Sequence, residues 1–310
     1  MRLVVALGGN ALLKRGEPLE AALQRRNVAI AADALAEMAT GHDFVVTHGN
    51  GPQVGLLALQ SLAYREVAPY PLDVLGAESE GMIGYLIEQE LRARLAGRQI
   101  ATLLTQIEVD PADPAFRNPT KPIGPVYQQA AADRLTAAFR WTMRAERGGL
   151  RRVVPSPEPR RIVELATIRL LADAHVLVIC AGGGGIPVVS DAGGRLHGVP
   201  AVIDKDLASA LLAQELGADG LLLLTDVAAV YEGWEGASPQ AIRAVAPEPL
   251  RRMGFAAGSM GPKVEAACRF VERTGGFAAI GALADGAAML AGDAGTRIQA
   301  GIGAIAYWDA

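Results

Sequence analysis

The sequence predicts an α/β fold with a mostly parallel central sheet, and three observations carry that prediction. Short β-branched runs alternate with longer helical patterns along most of the chain. Two runs, HVLVICA (175–181) and GLLLLT (220–225), are continuously apolar, as strands covered on both faces are. Glycine-rich turns follow three predicted strands: ALGGNAL (6–12), THGNGPQVG (47–55) and CAGGGGIPV (180–188). Turns at strand ends line the crevice where open α/β sheets bind ligands.

RLVVAL (2–7) reads as the first buried strand, and the next segment places Leu23, Ile30, Ala34 and Met38 on one helical face. DFVVTH (43–48) is a second strand, followed by helical stretches through about Arg94, and IATLLTQI (100–107) is a third. Between Asp110 and Pro159 the text turns proline-rich, with DPADPAFRNPTKPIGP early and RRVVPSPEP late. Irregular segments this long inside compact domains are usually functional. Residues 110–160 therefore read as a small lid inserted in one domain that spans 1–310. Further on, VIDKDLAS (202–209) opens a helix capped by Asp204 and running to about Gly217. In GSMGPKVEAACRFVERTGG (258–276), Pro262 fits the first helical position, and Val264, Ala267, Cys268 and Val271 repeat at helix spacing. IGAIAYW (302–308) reads as a closing strand.

Composition narrows the function. A chain of 310 residues, 51% hydrophobic and 20% charged, can bury a large core and is globular. The net charge of −4 gives no electrostatic reason to expect nucleic acid. Arginines cluster between Arg134 and Arg161, with Asp133, Glu146 and Glu158 interspersed, and read as a solvated face or lid surface. Cys180 and Cys268 lack metal-ligand spacing and suggest buried thiols. Gly8, Gly9 and Asn10 interrupt the apolar start, so no signal peptide or membrane span is expected, and the cytoplasm is the compartment implied.

Lysine is the telling residue. It occurs only at 14, 121, 205 and 263, against 25 arginines. Where arginine serves as the general cation, a lysine marks a place that needs a compact, rotatable charge. Lys205 and Lys263 both fall in the first turn of a predicted helix, where the dipole disfavours a cation by roughly 0.3–1 kcal/mol. A phosphate at those N-termini reverses the sign. The plainer reading of Lys205 is an ion pair with Asp204 or Asp206, which also suit a cap and a dipole partner. Lys121, in NPTKPIGP, reads as a charge delivered by the lid, whereas Lys14 has no such context. Asparagine is equally sparse, at 10, 27, 50 and 118, and Asn10 and Asn50 stand in the first two glycine turns. A carboxamide donates and accepts, which suits a small ligand with an oxyanion and an amide-like nitrogen.

Other chemistries find little support. No GxxxxGK[ST] phosphate loop is present, and the histidines at 42, 48, 175 and 197 lack zinc spacing. AESEG (77–81) resembles a nucleophile elbow, but apolar spacing continuing through IGYLIEQEL makes it a helix. His48 touches the second glycine turn, as a site or a structural residue.

Taken in order, ALGGNAL, THGNGPQVG, EGMIGY, NPTKPIGP, RRVVPSPEP, CAGGGGIPV, VIDKDLAS and GSMGPK resemble the amino acid kinase family, and within it the carbamate kinase branch. The resemblance covers nearly the whole chain. It implies an open αβα sandwich, a homodimer, and reversible phosphoryl transfer between ATP and carbamate, with Mg²⁺ carried by the nucleotide. By position, Gly8, Gly9, Asn10, Gly49, Asn50 and Gly51 surround the acyl substrate. Lys121, Lys205 and Lys263 act on the transferring group, and Asp206 orients the lysines. Asp204, Asp226, Tyr231, Met260, Gly261 and Pro262 border the nucleotide, and no protein metal ligand is implied. Two residues depart from the pattern: Glu80 stands for an expected glutamine and Leu150 for an expected tryptophan. The rival readings are another carboxylate kinase of this fold, acting for instance on acetylglutamate, and a non-catalytic metabolite sensor.

Overall fold

A computed structural model describes residues 1–13, 17–64, 66–234, 236, 238–255, 258 and 260–309, with only the backbone of Asn10. Strand Arg2–Leu7 lies at the centre of a ten-stranded sheet, parallel to Asp43–His48 on one side and Gly220–Thr225 on the other. Leu177–Ile179 and Ile100–Thr102 extend the sheet beyond Asp43–His48, both parallel. Phe277–Ala282 continues it beyond Gly220–Thr225. Only past that point does antiparallel pairing enter, through Thr296–Gln299 and the edge strands around Gln240–Val245.

The alternation along the central strand explains the layers. Leu3, Val5 and Leu7 pack into one apolar cluster with Val28, Leu35, Ile83 and Ile87, from helices Ala21–Ala39 and Leu72–Arg94. Val4 and Ala6 point the other way, into a cluster with Leu212, Ala213, Ala267 and Phe270, from helices Lys205–Leu216 and Met260–Thr274. Each fully buried Leu or Val contributes about 1.5–3 kcal/mol, and the strand has no solvent face at all. The result is a sheet with helices on both sides, as the apolar runs required.

Two smaller sheets stand off the main one. Lys121–Tyr127, Thr142–Glu146 and Gly149–Val154 form an antiparallel trio with helix Gln129–Phe139. Gln106–Val109, Pro159–Ile162, Ile186–Ser190 and Leu196–Gly198 form a four-stranded sheet beneath it. The trio rests on helix Gly51–Ala63, where the Cβ position of Gly55 lies 2.9 Å from Gly124 Cα.

Several sequence expectations need correction. The helix Ala21–Ala39 buries Asn27, Val28, Ala31, Ala32, Leu35, Met38 and Ala39, while Ile30 is exposed. Small alanines mark the contacting face, which a reading weighted toward large side chains missed. IATLLTQI is not one strand. Leu103 still bonds Ile179 O, but the chain then leaves the main sheet and resumes as Gln106–Val109 in the four-stranded one. The closing strand is only Ala306–Tyr307. Helix Met260–Thr274 begins two residues before Pro262, whereas Lys205–Leu216 runs between Asp204 and Gly217 as expected.

Candidate active site

The three glycine turns leave neighbouring strands at the same end of the sheet and pack on one another. Gly8 N donates to Leu224 O and Gly49 N to Leu7 O, so both turns are tied to the sheet. The Cβ position of Gly49 lies 2.9 Å from Gly9 N, and that of Gly183 lies 2.1 Å from Asn50 Nδ2. Any side chain at either point collides with backbone or with the asparagine. By contrast, the Cβ positions of Gly9 and Gly51 meet nothing within 4 Å. Tight packing thus explains part of the glycine content, and open space above Gly9 and Gly51 the rest. Asn50 itself is buried and donates from Nδ2 to Ser79 Oγ at 2.8 Å. The side chain of Asn10 lies outside the described residues.

Two lysines share one carboxylate. Lys205 Nζ donates to Asp206 Oδ1 at 2.5 Å and Lys263 Nζ to Asp206 Oδ2 at 2.8 Å, although 57 positions separate Asp206 from Lys263. All three side chains are nearly buried. Burial alone pushes the Asp206 carboxyl up, but the charges of Lys205 and Lys263 outweigh it and hold it well below the usual carboxylate range. Burial and the charge of Lys263 together bring Lys205 below the ordinary lysine value, against the pull of Asp206. Two cations against one anion leave an excess positive charge that faces low dielectric. Such a site favours a further anion.

Asp204 links this pair to the protruding sheet. Its Oδ1 caps the helix by accepting from Asp206 N at 2.9 Å, and its Oδ2 accepts from Lys121 Nζ at 2.6 Å. The cap and the ion pair foreseen for this stretch therefore coexist, with Lys205 pairing to Asp206 and Lys121 to Asp204. Asp204 thereby stands among the lysines. Asp226 follows the end of Gly220–Thr225, where its Oδ1 accepts from Thr225 Oγ1. Tyr231 begins an edge strand, its ring 5.1 Å from that of Trp234, and Met260, Gly261 and Pro262 form the turn just ahead of Lys263.

Sequence reading missed the scaffolding under these groups. Thr47 and Ser209 hydroxyls meet at 2.6 Å, and Ser209 donates to Lys205 O at 2.7 Å, fixing the first turn of the lysine helix. The spacing of Ser209 four residues after Lys205 was the available signal. Gln53 is buried, and neither end of its carboxamide has a partner among the described residues. It directly follows the Asn-Gly-Pro of the second turn.

Residues 1–280 match the amino acid kinase family. The chain is 53% identical to a carbamate kinase of Haemophilus influenzae over 99% of its own length and 100% of that protein. It is 54% identical to a carbamate kinase of Escherichia coli over 96% of its length and 99% of that protein. Among solved structures, the carbamate kinase from Giardia lamblia bound to AMP-PNP is similar at a TM-score of 0.89 and 42% identity, with 96% and 98% of the two chains covered. An N-acetylglutamate synthase from Neisseria gonorrhoeae, at 15% identity and a TM-score of 0.58, shares the fold alone. The chain belongs to the amino acid kinase family and, within it, to the carbamate kinases, ATP-dependent phosphotransferases.

Proposed function

We propose that Lys205 and Lys263, oriented by Asp206, carry the phosphoryl group between ATP and carbamate, with Lys121 assisting from the protruding sheet. The observation that carries this reading is the single carboxylate of Asp206 bonding both ammonium groups. The carbamate oxygen is already anionic, so phosphoryl transfer to it needs no general base. It needs in-line positioning and neutralisation of negative charge spread over the moving group. Two preorganised ammonium groups supply that, and they rotate to follow the oxygens where a planar guanidinium holds one geometry. Asp206 keeps them charged and close together without itself accepting a proton.

Gly8, Gly9, Gly49, Asn50 and Gly51 form the proposed acyl-substrate cradle, supported by the open space above Gly9 and Gly51. Asn10 belongs to it by sequence position. Residues 110–160 act as a lid whose Lys121 reaches the site, a reading supported by its bond to Asp204. The nucleotide lies along Asp226, Tyr231 and Met260–Pro262, with Asp204 between it and the lid. Among the described residues no His, Cys, Asp or Glu side chains gather as a metal-holding cluster. In this reading Mg²⁺ arrives as part of the substrate, on the phosphates of ATP or ADP. Two copies associate as a homodimer in this reading, which sedimentation would detect as a doubled mass. The proposed compartment is the cytoplasm, where ATP is available.

The test of the lysine set is Lys205→Arg, assayed by ATP formation from MgADP and carbamoyl phosphate. The folded variant keeps its charge and loses about a hundredfold in turnover. Turnover near that of the unmodified chain removes the role assigned to Lys205.

A further inference from the structure

Glu80 is a buried carboxyl that the reaction does not use. It sits on the inner face of helix Leu72–Arg94 and is 1% exposed. Its Oε1 accepts from Gly182 N at 2.7 Å and its Oε2 from Thr105 N at 3.2 Å. Thr105 Oγ1 in turn accepts from Ala181 N at 2.9 Å. Two consecutive N–H groups of the third glycine turn therefore hang on side chains from distant parts of the sequence.

That turn needs holding. Ala181 has φ of 50° and Gly183 φ of 68°, and a left-handed alanine is strained by about 1–3 kcal/mol. The turn also touches the working residues. Besides Asn50 against Gly183, the Cβ position of Gly184 lies 2.4 Å from Ile203 O and 3.2 Å from Lys205 N. A displacement of the turn shifts Asn50 or the start of the lysine helix.

We propose that Glu80 is a positioning residue that pins the turn 181–185 and thereby sets where Asn50 and Lys205 stand.

Its surroundings keep the proton in place. Burial is the main cause, opposed by the N–H groups of Thr105 and Gly182, with Glu164 adding a like charge; the carboxyl is raised to about 8. Cys180, from the neighbouring strand end, is a thiol pushed up chiefly by burial. The remaining titratable neighbour, His48, complements an acid. A carbonyl only accepts, so the contact of His48 Nδ1 with Gly49 O at 3.2 Å puts the ring proton on Nδ1. Nε2 is then a bare acceptor, buried and without a partner among the described residues. Burial lowers this ring to about 4, against the contact with Gly49 and with help from the charge of Lys205, so it stays neutral. His48 Nε2 lies 2.5 Å and Glu80 Cγ 2.8 Å from the Cβ position of Gly182. The Glu80 side chain and this unpartnered ring nitrogen thus flank the same glycine.

The inference rests on the reading of Lys205 as a phosphoryl-transfer residue, and the experiment separates the two. Glu80→Gln and Glu80→Leu are made in the full chain and compared with the unmodified protein. ATP formation, MgADP binding by calorimetry and thermal midpoints are measured from pH 4 to 9. Glutamine keeps the bond from Gly182 N and gives up only the longer one from Thr105 N, so its turnover stays within about twofold of the unmodified chain. Leucine drops turnover by roughly tenfold or more, with MgADP affinity nearly unchanged.

The sign of the pH effect is fixed. As pH rises from 4.5 toward about 8, the unfolded chain ionises Glu80 while the folded chain keeps the proton, so the unmodified protein loses stability relative to Glu80→Gln. The gap levels off above that range. A gap that stays flat or closes with rising pH overturns the neutral acid. Glu80→Gln as slow as Glu80→Leu, or Glu80→Leu as fast as the unmodified chain, overturns the positioning role. Should Glu80→Leu not fold, the Glu80→Gln series decides alone. Failure of the Lys205 reading shows instead as an active Lys205→Arg variant and leaves the stability comparison untouched.

Discussion

Helix Met260–Thr274 carries two charged clusters built from the same kinds of groups under opposite conditions. In its first turn, Lys263 and the neighbouring Lys205 share Asp206, with side chains 7–13% exposed. Farther along, Glu265 and Arg269 join Arg251, Glu272 and Glu158, with side chains 34–45% exposed. The outer cluster has three acids for two arginines and lies open to water. Pairs of that sort contribute roughly 0–1 kcal/mol each. The inner cluster has two cations for one acid and is shielded. Its imbalance is costly in an empty chain and is relieved by an incoming anion. Position relative to solvent, rather than the number of salt bridges, separates the proposed catalytic charge set from a decorative one.

Replacement of Asp206 by alanine breaks that contrast most sharply. Two ammonium groups lose their shared carboxylate, so turnover falls by about a thousandfold and stability by about 3–5 kcal/mol, read by the ATP-forming assay and by urea unfolding. Because Asp206 is held below its ordinary value of 3.8, its stabilisation is intact above that pH and fades as pH falls below it. The alanine variant therefore has a shallower acid limb in a plot of thermal midpoint against pH. Lys205→Arg comes next, at the hundredfold already stated. Lys121→Ala follows, lowering turnover roughly tenfold while calorimetry with MgADP gives an unchanged affinity, since this lysine is proposed to belong to the acyl-substrate side. A collapse of nucleotide binding in that variant sinks the division of labour. Arg269→Ala is the smallest, within about 1 kcal/mol of stability and without effect on turnover. Were it to slow the enzyme as Asp206→Ala does, the two clusters could not be told apart by burial.

The lysine set was legible because scarcity made it so. With four lysines among 25 arginines, three in unusual contexts invited a chemical reason. The layers were legible too, since GLLLLT and RLVVAL leave no polar face to solvate. The face of helix Ala21–Ala39 was not, because alanines that permit close approach carry little hydrophobic signal. The break in IATLLTQI was hidden for a different reason. Thr105 leaves the strand to hold Ala181 N, 76 positions away, and local pattern says nothing of such a partner. Glu80 stood out only as a departure from the family pattern. Its bond to Gly182, 102 positions on, places the change at the third glycine turn.

The bond between Lys121 and Asp204 also gives the molecule a built-in reporter. An ammonium locked to a carboxylate at 2.6 Å offers no lone pair to an acylating reagent, whereas a released and deprotonated amine does. Peptide mapping of acylation at residue 121 would then read any parting of Lys121 from Asp204, independently of whether any phosphate changes hands.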